Sequence, residues 1–134
     1  MGIELQKDSI DLGIIVRDGE KAMAFYRDTL GFNHEGDMKM GGGSVMHRLR
    51  CGTSLIKVIE TGEPLENNPA PGGITGGTGY RYWTISVSNL VELVKECADK
   101  GYTVAWEPRE IREGVTVAMV EDPDGNWVEL LQNS

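Results

Sequence analysis

The sequence predicts an α+β fold built from two tandem βαβββ modules, and three observations predict it. IDLGIIVRDGEKAMAFYRDTLGF, residues 10–32, reads as a strand followed by a helix, and YWTISVSNLVELVKECADKGY, residues 82–102, repeats that order. Three short strand-like segments follow each unit. Equivalent positions keep a nearly constant offset: Asp11 to Tyr82 is 71 residues, and Lys57 to Glu129 is 72. Neither unit can bury both faces of its sheet alone, so the two are expected to pack as one domain over 1–134. Module 1 covers about 10–60, a connecting loop 61–81, and module 2 about 82–132.

In the first module Ile10, Leu12, Ile14 and Val16 alternate as in a strand, and Ile15 fills the opposite face, so both faces are expected to be covered. Asp18 then caps a helix. Ala22, Phe25, Tyr26 and Leu30 share its buried face, and Gly31 ends it. Strands are expected near His34–Met40, Ser44–Arg50 and Ser54–Glu60, with turns at Gly41–Gly43 and at Cys51-Gly52-Thr53.

The second module opens with a strand over Tyr82–Val87. Asn89 and Glu92 have the spacing of a capping box. Leu90, Leu93, Val94, Cys97 and Ala98 form the buried stripe of the helix that follows, and Gly101 terminates it. Strands near Tyr102–Trp106, Val115–Val120 and Trp127–Leu131 complete the module, with DPDGN at 122–126 as a tight turn. Between the modules, residues 61–81 hold three prolines and six glycines. A connection of that length is either an irregular surface linker or a flap over a binding cleft.

A net charge of −8 argues against nucleic-acid backbones and anionic membranes as partners. No apolar run approaches the ~20 residues that span a bilayer. The start, MGIELQKDS, lacks the regions of a signal peptide, and Gln6 stands where myristoylation needs Ser or Thr. Cys51 and Cys97 are far apart and form no metal-type pair. The expectation is a cytoplasmic protein with free thiols and a small-molecule ligand.

The blocks IIVRDGEKAMAFYRDTLGF, RLRCGTSLIKVIE, YWTISVSNL and VEDPDGNWVELLQ resemble the vicinal oxygen chelate superfamily. That superfamily includes glyoxalase I, methylmalonyl-CoA epimerase, extradiol dioxygenases, and the fosfomycin and bleomycin resistance proteins. The resemblance runs from about residue 10 to 132 and implies a glyoxalase-like fold, in which the sheets of two βαβββ modules curl into a shared cup. Metal-dependent members hold a divalent ion in that cup with His, Glu or Gln at four strand positions. By register those positions are Asp11, Lys57, Tyr82 and Glu129, of which only Glu129 keeps a family ligand. The modules of family members pair within one chain or between two, and a homodimer is the expected state here.

Chemistry then narrows the site. A divalent metal needs several lone-pair donors, and a protonated lysine offers none. No metal cofactor is therefore expected at these positions. Asp11, Lys57 and Glu129 form either an ion-pair network that plugs the cup or a metal-free acid–base site with Tyr82. In the second case a carboxylate removes a proton beside a carbonyl, and Lys57 or Tyr82 stabilises the oxyanion. Trp127 shares strand parity with Glu129 and is a candidate stacking surface; Arg109 and Arg112 are candidates for an anionic group or simple surface partners. His47 is a candidate ligand-binding or proton-transfer residue on either face of its strand, while His34 is expected to be exposed and Trp83 to be core. Met38, Met40 and Met46 either line an adaptable pocket or fill the core. The function implied is a metal-independent isomerase, epimerase or lyase acting on a small carbonyl compound. The alternatives are a ligand-sequestering protein of the bleomycin-resistance kind and a metal-dependent relative of glyoxalase or dioxygenase.

Overall fold

The computed structural model describes residues 1–134. The chain divides into two compact units, Met1–Leu65 and Glu66–Ser134. The first holds β1 (Asp11–Val16), α1 (Gly19–Tyr26), β2 (Asn33–Gly41), β3 (Ser44–Cys51) and β4 (Ser54–Glu60). Its sheet runs β1-β4-β3-β2, with β1 parallel to β4 and the other pairs antiparallel. The second holds a short 3₁₀ turn (Gly73–Thr75), β5 (Tyr82–Ser86), α2 (Leu90–Asp99), β6 (Val104–Arg112), β7 (Val115–Glu121) and β8 (Trp127–Asn133). Its sheet order, β5-β8-β7-β6, repeats that of the first unit with the same strand directions. The duplication holds at the level of register. Gly13 pairs with Lys57 in one unit, and Thr84 pairs with Glu129 in the other. Asp11 and Tyr82 each open their module's first strand. No helix is long and apolar enough to cross a membrane.

One helix packs on one face of each sheet and buries the side chains of that face. Ile14, Val16, Ile56, Val58 and Leu49 are buried and, by alternation, belong to the face that carries α1, whose Ala22, Met23, Phe25 and Tyr26 are also buried. Ile15 points the other way and remains 49% exposed, so the expectation that both faces of β1 are covered fails. The Asp18 carboxylate accepts from the Lys21 N–H at 3.1 Å, as a helix N-cap should. The helix ends at Tyr26, a turn earlier than Leu30 and Gly31 predicted. Past that point Leu30 N–H bonds Phe25 O and Phe32 N–H bonds Tyr26 O, wider loops than an α-helix makes, and Gly31 (φ +83°) turns the chain into β2.

In the second unit α2 starts without its predicted cap. Asn89 makes no side-chain capping bond. The Leu90 N–H instead donates to Gln132 Oε1 at 2.9 Å, so β8 rather than the local sequence satisfies the helix start. Strand β6 begins two residues later than expected and runs on to Arg112, because its hairpin with β7 continues to the turn before Val115. Cys97, on the buried side of α2, has its thiol pushed up to about 11 by burial; neither it nor the partly buried Cys51 is in a disulfide.

The DPDGN turn is organised by Asp122, which is only 4% exposed. Its carboxylate accepts from the Asp124 N–H at 2.9 Å, the Asn126 N–H at 2.8 Å and the Asn126 side-chain amide at 2.8 Å. Hydrogen bonds to a charged acceptor contribute more than neutral ones, and removing the acceptor leaves buried donors unpaired. Asp122→Ala is therefore expected to lower stability by about 2–4 kcal/mol in urea unfolding. A change below about 0.5 kcal/mol would show that the turn forms without it.

Candidate functional site

In the first unit the sheet face turned away from α1 carries Asp11, Gly13 and Ile15 of β1, Lys57 of β4, and Arg48 and Arg50 of β3. Lys57 pairs with Gly13, so no side chain stands between its ammonium and Asp11 one pleat away. Lys57 Nζ lies 3.6 Å from Asp11 Oδ2. The other oxygen of Asp11 takes a short charged hydrogen bond from Lys7. That bond is the main reason the Asp11 carboxyl lies below its ordinary value of 3.8; partial desolvation opposes it, and the charges of Lys7 and Lys57 add to it. Arg50 is engaged elsewhere, in a bidentate pair with Glu35 at 2.9 and 3.1 Å.

In the second unit the corresponding face carries Glu129. Register aligns Thr84, Glu129, Met119 and Trp106 in one row across the four strands. Thr84 Oγ1 donates to Glu129 Oε1 at 2.7 Å. Tyr82, partly exposed, pairs with Trp127 one pleat away. The Trp127 ring meets Trp106 edge-on with centroids 5.7 Å apart, and the Arg109 guanidinium lies 4.4 Å above Trp106. Arg109 is thus part of strand β6, on the face of Glu129. Pro108 stands in a register shift between Trp106 and Arg109, and that extra length turns both side chains the same way. Arg112 also lies in β6, at its end.

The segment from Pro69 to Arg81 is folded onto this face. The Arg81 guanidinium donates to Gly73 O and to Ala70 O, both at 2.7 Å. Gly73 (φ +58°) then presses on Trp127 so closely that a Cβ there would stand 2.0 Å from Cη2. A cavity of about 240 Å³ opens beside the contact, lined in part by Pro71, Arg81, Glu121, Asp124 and Trp127. This part of the connecting loop therefore borders Trp127 and is tied down by an arginine.

His47 sits on the opposite face of the first sheet from Lys57. It pairs with Val58, on the side of α1, and Nδ1 lies 2.7 Å from Asp37 Oδ1. His34, expected to be exposed, is half-buried and reaches the same oxygen through Nε2, also at 2.7 Å. The structure thus brings Asp11 and Lys57 together, places Tyr82, Trp127, Glu129 and Arg109 on one face, and sets His47 apart from Lys57. Met46 is core, whereas Met38 and Met40 are about half exposed. Trp83 pairs with the buried Val128 on the α2 side.

The family's metal does not fit the first-unit positions. Asp11 is already held by two ammonium groups, and one of them, Lys57, stands where the resemblance implies a ligand and has no lone pair to give.

The family model of the Glyoxalase/Bleomycin resistance protein/Dioxygenase superfamily matches residues 9–130. A probable lactoylglutathione lyase of Synechocystis sp. is 33% identical over 124 residues, 90% of this chain and 92% of that protein. The lactoylglutathione lyase of Escherichia coli O157:H7 is 39% identical over 57 residues, which is 42% of each chain. Among solved structures, a glyoxalase family protein of Bacillus cereus superposes with a TM-score of 0.84 at 16% identity, covering 98% of this chain and 96% of its own. That last likeness is one of fold.

Two outcomes follow from this geometry. Asp11 is expected to titrate below 3.8 by carboxyl NMR, with Lys7→Met raising its midpoint more than Lys57→Met, since the Lys7 hydrogen bond is the larger cause. The Asp11 contribution to stability is present above the unfolded-state value and is lost as pH falls through the lowered folded value. The reverse ranking of the two variants would mean that Lys57 is the principal partner. Gly73→Ala is expected to displace the loop and change Trp fluorescence without unfolding the sheet, because a methyl there overlaps the Trp127 ring. An unchanged emission spectrum would show that the loop does not cover that ring.

Proposed function

Since the chain belongs to the Glyoxalase/Bleomycin resistance protein/Dioxygenase superfamily, we propose that it is an isomerase or lyase of glyoxalase-like type that works by metal-independent acid–base chemistry on a small carbonyl compound. The observation that carries this reading is the Lys57 ammonium 3.6 Å from Asp11, at a position where the resemblance implies a metal ligand. A cation fixed there supplies the charge that an enolate oxygen needs. Asp11, held by two lysines and below the ordinary carboxylate range, is a weak base and serves to position Lys57. Glu129 accepts from the neutral Thr84 hydroxyl and is the candidate base on the second sheet.

The names of the relatives, lactoylglutathione lyases, support this substrate class. Lactoylglutathione is an α-hydroxy thioester, and the proton on its hydroxyl-bearing carbon lies next to a carbonyl. A carboxylate removes that proton, and the electron pair moves onto the carbonyl oxygen as an enolate. Lys57 or the Tyr82 hydroxyl stabilises that oxygen. Protonation at the former carbonyl carbon, with loss of the original hydroxyl proton as that oxygen becomes a ketone, completes an isomerisation to the hemithioacetal. Departure of the thiolate, which takes up the proton released by the hemithioacetal hydroxyl as its carbon becomes an aldehyde, completes a lyase reaction. Arg109 and Trp127 are the ligand contacts in this scheme, and the working form is a homodimer.

Lys57→Met is expected to lower kcat about 10²–10³-fold on α-hydroxy thioesters or the matching hemithioacetals, with Kd within about tenfold of the parent. Turnover should survive exhaustive chelation. Full activity per folded molecule in Lys57→Met would reduce the ion pair to a structural role. Activity lost on chelation and restored by a divalent ion would replace this reading with a metal-dependent one. A second reading, capture of an aromatic ligand without turnover, is favoured by the Arg109–Trp106–Trp127 ladder. It predicts saturable quenching of Trp fluorescence by a ligand that is recovered unchanged.

A further inference from the structure

We propose that His34, Asp37 and His47 form a binding site for a zinc-class divalent ion on the α1 side of the first sheet, separate from the face of Asp11 and Lys57. The chain contains only two histidines, and both meet at one carboxylate oxygen. One potential ligand atom from each of the three residues lies within 4.8 Å of the other two. Two imidazole nitrogens and a carboxylate oxygen suit a borderline ion such as Zn²⁺, Co²⁺ or Ni²⁺. They do not suit Mg²⁺ or Ca²⁺, which prefer oxygen ligands.

The backbone sets this convergence up. Asp37 and His47 are directly paired across β2 and β3 and so share a face. His34 is three residues from Asp37, which in a regular strand would put it on the other face. A register shift between His34 and Gly36 inserts one residue and turns His34 back to the side of Asp37. Support for the ligands is also present. Glu60 Oε2 and His47 Nε2 share the space over Gly19, where a Cβ would meet them at 2.9 and 3.0 Å. With metal on Nδ1, the His47 Nε2–H is left on the side of Gly19, where the Glu60 carboxylate also lies. Asp37 is 49% exposed and His47 16%, which leaves an entry path from solvent beside a fixed inner ligand.

Binding replaces the ring N–H groups that now face Asp37. A neutral ring does so by moving its proton to its other nitrogen, and a charged ring releases one proton. Because β2 is the edge strand of its sheet, the ion would clamp it to β3. The site is independent of the acid–base scheme above, and its test does not read activity.

The experiment is calorimetric titration of the metal-stripped full chain with ZnCl₂ alone, followed by NMR of the two imidazoles. One Zn²⁺ per chain, simultaneous shifts of both histidines and a zinc-dependent rise in Tm are expected. His34→Gln and Asp37→Asn should each weaken binding about tenfold or more, while Lys57→Met and Glu129→Gln leave it unchanged. Circular dichroism checks that the variants are folded; if His47→Gln unfolds, the other two ligand variants still decide. No zinc binding by the folded parent would overturn the proposal. So would binding that survives His34→Gln and Asp37→Asn, or that is lost in Lys57→Met or Glu129→Gln.

Discussion

A single helix can cover only one face of a four-stranded sheet. In each unit that constraint sorts the side chains by strand parity. Residues on the helix side bury, and the other side carries the charged and aromatic groups together with buried apolar residues such as Leu55, Val117 and Met119. Val58 and Val128 are completely buried, yet Lys57 and Glu129, each one position away, are polar and accessible. The two chemistries need no separate domains because the two-residue period of a strand keeps them apart. A one-residue slip would bury Lys57 and Glu129 against the helices and expose the valines, so the buried residues also fix the register of the polar ones.

Within that frame the first unit answers an electrostatic problem. A carboxylate at the start of β1 needs counter-charge, and it receives two cations, one from Lys7 on the segment before the strand and one from Lys57 in the neighbouring strand. These are accessible pairs, so their effect on stability is small. Their effect on chemistry is larger. They bias Asp11 toward the ionised form, and Asp11 in turn holds the Lys57 ammonium in place. The second unit solves the same position differently. There the residue paired with Glu129 is Thr84, a neutral donor, where the first unit has Gly13 opposite Lys57. Duplicated backbones therefore carry unlike charges at equivalent positions.

Much of this was legible in the residues alone. The alternation in IDLGIIV, the Asp18 cap, the DPDGN turn and the 71- and 72-residue offsets placed every strand and both helices, and the ladder confirms the equivalence of Lys57 with Glu129. What could not be read was set by partners distant in sequence. The start of α2 is satisfied by Gln132, 42 residues on from Leu90, so the capping-box pattern at Asn89 misled. Ile15 implied a covered face because an apolar residue in a strand does not announce whether anything will lie against it. Arg81 tying back to Ala70 and Gly73 is likewise a contact that only the folded loop creates.

The remaining discrepancies share one cause. β2 and β6 are equivalent edge strands, and both are interrupted by register shifts, between His34 and Gly36 in one and around Trp106 in the other. An inserted residue reverses parity, so two side chains three apart come to the same side. In β2 this joins His34 to Asp37, and in β6 it sets Arg109 over Trp106. Counting by twos along the sequence assigns each of these pairs to opposite faces, so simple alternation does not reveal the histidine–aspartate cluster, and Arg109 lies beyond the strand that the sequence predicts to end at Trp106. Gly36 and Pro108 are the local markers of the two irregularities: a glycine at φ +153° and a residue with no N–H to give a ladder. An edge strand tolerates such breaks because only one of its sides is paired. The places where the fold departs from simple alternation are therefore also the places where it gathers side chains that alternation would keep apart.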